Sequence, residues 1–137
     1  MQRIAIITFA LIILITGCAG TRSSNLVGNW YGEKIENSTV TKWVNERKED
    51  GTYRILFKQY KEGKLVAQQT ESGEWRYKDG IYSTRTRMIG TEKLESNDPY
   101  YNDDYKVELL TSQEMVYVHI RHGIKYKAVR VSKDFEF

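Results

Sequence analysis

From residue 28 onward, apolar and polar side chains alternate in short runs, and a turn signal closes nearly every run. Tyr53, Ile55 and Phe57 fall on alternate positions, as do Tyr105, Val107 and Leu109, and Val116, Val118 and Ile120. A period of two belongs to a strand with one buried face, because successive side chains point to opposite sides of a sheet. These triplets are therefore the expected inward faces. Asp50-Gly51, Glu62-Gly63, Asp79-Gly80 and His122-Gly123 punctuate the runs, and glycine supplies the positive φ that tight hairpins need. The predicted strands are 28–35, 39–48, 52–60, 65–71, 74–77, 81–87, 105–110, 115–121 and 124–131. The fourth and fifth merge if one long strand bends at Gly73, where a bulge or barrel corner is expected. About eight short antiparallel strands joined by hairpins remove their exposed edges most simply by closing, so the predicted fold is all-β, a small up-and-down antiparallel β-barrel.

The pattern is weakest at 81–87, where Tyr82, Thr84, Thr86 and Met88 oppose Ile81, Ser83, Arg85 and Arg87. This strand is expected to face a less oily interior or a wet edge. Trp30, Trp43, Phe57, Trp75 and Tyr82 are the large interior candidates. A barrel of eight strands is either filled by side chains or able to hold one small ligand, and strand number does not choose between these.

One connection is long. Residues 90–104 contain the only proline, Pro99, and place Tyr100 and Tyr101 beside Asp98, Asn102, Asp103 and Asp104. Long loops in compact domains tend to be functional, and tyrosines give contact area with few torsions to freeze. Tyr100 and Tyr101 are thus the predicted ligand- or partner-binding residues, at the end of the barrel opposite Trp30. The alternative is a cap, with one tyrosine plugging the mouth.

Ahead of the strands, residues 4–15 are apolar except for Thr8, after a start that carries Arg3. Twelve helical residues span roughly 18 Å, short of a ~30 Å hydrocarbon core, so the run reads as the h-region of a signal peptide and not as a membrane span. It ends on Ile15-Thr16-Gly17-Cys18, which resembles the lipobox of bacterial lipoproteins. The resemblance implies diacylglycerol on the Cys18 thiol, cleavage before it and acylation of the new amino group. It divides the chain into a signal peptide (1–17), a lipidated tether (18–25) and the barrel domain (26–137). Ala19 stands where an aspartate favours inner-membrane retention in the enterobacterial pattern. The expected location is therefore the outer membrane, lipid-anchored and facing the periplasm.

Composition narrows the classes further. The 137 residues carry 21 Lys and Arg against 18 Asp and Glu, a net +3 that falls to +2 once Arg3 leaves with the signal. That balance is no nucleic-acid footprint. The single cysteine is assigned to lipid, so no disulfide within the chain is expected and packing must hold the fold, with ten tyrosines and three tryptophans to supply it.

Gly28-Asn29-Trp30, Asp50-Gly51-Thr52-Tyr53, Gly73-Glu74-Trp75, Asp79-Gly80 and Arg130-Val131 together resemble the small bacterial lipocalin-like domains. The resemblance implies a meandering barrel with Trp30 at its base beneath Arg130, and binding of a small hydrophobic or amphipathic ligand. The chain lacks a clear copy of the further loop motifs of secreted lipocalins. A protein-interaction module, an envelope assembly factor or inhibitor with a filled barrel, is the alternative.

Catalytic signals are missing from the sequence. It holds no Gly-x-Ser-x-Gly elbow, phosphate-cradling glycine loop or metalloprotease histidine pair. Enzyme activity and a cofactor are not expected. His119 and His122, three apart on a strand, should face opposite ways and not chelate together, and the acidic run 97–104 lacks the spacing of an EF-hand loop. Arg85, Arg87, Lys42, Arg47 and Arg54 could form a basic wall for anionic headgroups, but a solvated outer face is the expected reading.

Overall fold

A computed structural model describes residues 25–95 and 98–137. The signal peptide and Cys18 lie outside the described residues. Nine strands follow in order: β1 (Gly28–Glu36), β2 (Thr39–Arg47), β3 (Thr52–Lys61), β4 (Lys64–Lys78), β5 (Ile81–Ile89), β6 (Glu92–Lys93), β7 (Asn102–Leu110), β8 (Glu114–His119) and β9 (Lys125–Val131). A single 3-10 turn, Pro99–Tyr101, precedes β7.

All pairings are antiparallel, each long strand pairs with its chain neighbours, and β9 returns to β1, aligning Val131 with Asn29 and Ala128 with Gly32. The β4–β5 pairing completes the ring. The result is a closed eight-stranded up-and-down barrel, with two-residue β6 added at the far end of β5. Closure leaves no long edge unpaired.

Turn chemistry explains the tight hairpins. Asn37 and Ser38, Glu62 and Gly63, and Asp79 and Gly80 all have positive φ, the conformation in which a two-residue link matches the right-handed twist of its strands. Asn37-Ser38 contains no glycine, although asparagine tolerates this region best among ordinary residues. At Gly73 the β4–β5 register shifts, and a Cβ there would run into the Arg85 carbonyl. So 64–78 is one long strand bent at its glycine, as the sequence predicts.

The hairpins divide the barrel into two ends. The chain entry at 25–27 and the links at 48–51, 79–80 and 111–113 surround Trp30 at the closed end. At the other end are the links at 37–38, 62–63 and 120–124 and the described residues 90–95 and 98–101.

Leu26, Trp30, Trp43, Tyr53, Ile55, Trp75, Tyr82, Met115, Tyr117 and Ala128 form the buried core. Gly32 makes room for one of them, since a Cβ at that position would overlap the Trp43 ring. Two expected faces are corrected. On β8 it is Met115, Tyr117 and His119 that are buried, not Val116, Val118 and Ile120. Three β-branched residues mimic a core face, but the inward row is the one that joins the methionine floor to the aromatic wall. On β7, Tyr105 and Val107 pack inward as expected, but the register shifts between Val107 and Leu109. That bulge turns Leu109 outward and Leu110 inward.

Candidate functional site

The floor is built around one ring. Trp30 is fully buried with Leu26 and Met115, and its Nε1 donates to the Leu26 carbonyl at 3.0 Å. Arg130 reaches over the indole with Cζ 4.5 Å from the ring centroid. Its Nε, Nη1 and Nη2 donate to the carbonyls of Ser112, Val27 and Asn25, each at 2.6 Å. The guanidinium thus clamps the chain entry and the β7–β8 turn onto β9, with charge-assisted bonds that carry most strength. The resemblance-based expectation for Trp30 and Arg130 agrees with this geometry.

A second arginine approaches the same ring from inside. Alternation along β2 carries Trp43, Asn45 and Arg47 into the lumen, where all three are buried. The Arg47 guanidinium lies 6.0 Å from the Trp30 ring and 4.4 Å over Tyr82. It is only 2% exposed, and neither its Nε nor its Nη1 has a hydrogen-bond partner. Asn45 has a similar deficit. Its Nδ2 donates to the Tyr82 hydroxyl at 3.4 Å, while Oδ1 is unpartnered.

Above these residues the lumen holds a cavity of about 270 Å³, lined among others by Arg47, Tyr82, Glu71, Asp103, Tyr105 and Tyr117. Its walls are largely phenolic. Tyr82 stacks on Tyr105 at 5.6 Å, Tyr117 stacks on Tyr126 at 5.5 Å, and Tyr105 meets Tyr117 edge-on at 5.3 Å. Burial pushes the Tyr53, Tyr105 and Tyr117 hydroxyls well above the ordinary phenol value, so these groups stay neutral. Opposite, the Tyr53 hydroxyl shares a 2.7 Å hydrogen bond with Thr86. Tyr82, Thr84 and Thr86 are all buried on the inner side of β5, which is the less oily interior the sequence pattern predicts.

Two carboxyl groups line the cavity nearer the open end. Glu71 pairs in register with Ile55, one inward position beyond the Tyr53–Gly73 pair, and also lines a second recess of about 330 Å³ beside Thr41, Phe57 and Gln69. Desolvation holds its pKa above the usual carboxyl value, opposed by a hydrogen bond from Gln69 and assisted by Asp103. Asp103 meets His119 Nε2 at 2.9 Å. Because the His122 backbone N–H donates to His119 Nδ1 at 3.2 Å, the proton of a neutral His119 sits on Nε2 and points at Asp103.

The expected separation of the two histidines does not hold. β8 ends at His119 and the chain turns, so the rings lie 4.6 Å apart. Among the described residues no three metal-capable side chains cluster. No helix among them is long and apolar enough to cross a membrane.

Tyr100 and Tyr101 lie at the open end, opposite Trp30, but do not line the cavity. Asp98 caps their turn by accepting from the Tyr100 N–H at 2.9 Å, and Arg121 donates to the Pro99 and Asn102 carbonyls. The two rings meet edge-on at 5.0 Å, with Tyr100 72% exposed, so it plugs nothing. The connection is also shorter than predicted. β7 begins at Asn102, which sends Asp103 into the lumen and leaves Asp104 outside with Arg85 at 3.4 Å.

Of the basic residues expected on a solvated outer face, Arg47 is the exception. Arg85 is paired with Asp104, Arg87 with Glu74, and Arg47 is inside. Arg47 is the functional candidate that charge-based reading missed. The signal was available, because Trp43 was an interior candidate and Arg47 is on its side of the same strand, two alternations on. No protein-family model and no curated protein matches this chain.

Proposed function

We propose that this chain is a lipocalin-like binding protein of the bacterial cell envelope, anchored through lipid on Cys18, that holds a small amphipathic ligand in its lumen and performs no chemistry on it. The observation that carries this reading is the 270 Å³ cavity, walled by aromatic rings and also lined by Asn45 and Arg47, two residues that keep buried polar atoms without partners. Ligand pockets pair apolar walls with a few placed polar groups in this way. The volume suits a small molecule. The Trp30–Arg130 floor supports the lipocalin-like reading.

The anchor rests on the lipobox and the short apolar run, and it would place the barrel at the periplasmic face of the outer membrane. Replacing Cys18 by Ser should stop lipid-dependent processing and move the protein out of the detergent phase. Continued processing at the same bond would contradict it.

A second reading is favoured by a specific feature. Ile35, Leu65, Val66, Tyr100 and Ile120 remain more than half exposed, all on strand ends or links at the open end. Such a rim suits contact with another envelope protein. Native mass spectrometry of protein purified gently from its own membrane separates the two. A bound small molecule supports the carrier, whereas a stoichiometric protein with an empty lumen supports the interaction module.

A further inference from the structure

We infer that the ligand is a small monoanion, a monocarboxylate of about ten non-hydrogen atoms, whose charged group is held at the bottom of the lumen by Arg47. This deepens the carrier reading and rests on it. A guanidinium carries five N–H donors, and burying a charge without partners is costly. Arg47 is 2% exposed, lines the cavity, and leaves Nε and Nη1 unpartnered. The rings of Trp30 and Tyr82 offer their faces but no acceptor oxygen in the guanidinium plane.

In the free protein these two nitrogens are buried and have no partner, so the cation is left uncompensated. A carboxylate matches the guanidinium fork with two parallel hydrogen bonds and neutralises the charge as well. The like charge of Arg130 bears on the same indole and adds to the demand for an anion. Asn45 Oδ1, an unpartnered acceptor nearby, would take a hydrogen bond from a protonated or hydroxylated ligand atom.

The number of charges follows from the rest of the wall. Glu71 and Asp103 line the cavity nearer the mouth. A second anionic group at the far end of a ligand would meet them, so dianions are disfavoured. Between floor and mouth, Tyr105, Tyr117 and Tyr126 line the cavity with aromatic surface that suits an aliphatic chain or an aromatic ring. Octanoate and phenylacetate are probes of the right size for these two shapes.

The test is calorimetric titration of the soluble barrel domain as it exists after removal of the lipid by cleavage of the tether, alongside the full chain in detergent. Octanoate, phenylacetate, octanamide and octanedioate are the probes. Octanoate or phenylacetate should bind at least tenfold more tightly than octanamide, and octanedioate should bind more weakly than octanoate. In Arg47→Met the preference should collapse to within about twofold. If that variant does not fold, Arg47→Gln or the wild-type probe series alone carries the test. Equal binding of octanoate and octanamide to the wild type would overturn the anion inference while leaving a lumen ligand intact. No binding by any probe, together with an empty lumen in protein from its own membrane, would overturn the carrier reading itself.

Discussion

Two arginines face the same tryptophan, and they are held in opposite ways. Outside the floor, Arg130 spends its guanidinium on three backbone carbonyls that belong to the chain entry and a turn. Inside it, Arg47 is more deeply buried and has aromatic faces for neighbours, with two of its nitrogens unpartnered. A residue that fastens a fold is expected to find its partners within the fold. One that does not is either a cost to stability or half of an interaction completed by something else. The proposed carrier takes up the second meaning, because Arg47 lines the cavity.

Removing the shared ring breaks the comparison most severely. Trp30→Ala should cost on the order of 3–5 kcal/mol, read as a lower midpoint of denaturant unfolding, because it empties the floor and leaves both guanidiniums without the indole. An unchanged midpoint would mean that the floor is not organised around Trp30.

Arg130→Met comes next, at about 2–3 kcal/mol, since the apolar stem still covers the ring but the Asn25, Val27 and Ser112 carbonyls lose their charged donor. Amide hydrogen exchange should speed up at 25–27 and 111–113 before it does elsewhere. Uniform loss of protection would argue against a local clamp.

The smallest effect sharpens the picture of the lumen. Desolvation raises the Glu71 pKa above its ordinary 4.5, with Gln69 opposing. A carboxyl whose folded pKa is raised binds its proton more tightly in the folded state. Its contribution is therefore fully present below the ordinary carboxyl range and is lost as pH rises through the folded pKa. Glu71→Gln should accordingly flatten the fall in stability over that window and gain on the wild type as pH rises from about 4 towards neutrality. Parallel pH profiles for the two proteins would place Glu71 in an ordinary aqueous setting.

Legibility from the sequence followed the same divide. The turns at Glu62-Gly63 and Asp79-Gly80, the bend at Gly73 and the barrel they imply depend on local backbone chemistry, which residue types report directly. Trp30 and Arg130 were recognisable as a pair from their resemblance to a known motif. The lumen was harder to read. Val116 and Val118 looked buried because they are apolar, yet they face outward while His119 is inside. Arg47 looked like surface because it is charged. Hydrophobicity marks an interior only where that interior is dry, and this one is polar by construction. The bulge between Val107 and Leu109 has no glycine to announce it, so the phase change on β7 is invisible in composition.

The most direct test compares the unfolding free energies of Arg47→Met and Arg130→Met without added ligand. If Arg47 is kept for a ligand, its replacement by an apolar side chain of similar length removes an unpaired buried charge. The variant should then be within about 1 kcal/mol of the wild type, or more stable, even though Arg130→Met is weakened. A loss at Arg47→Met as large as that at Arg130→Met would make both arginines structural and would contradict the account.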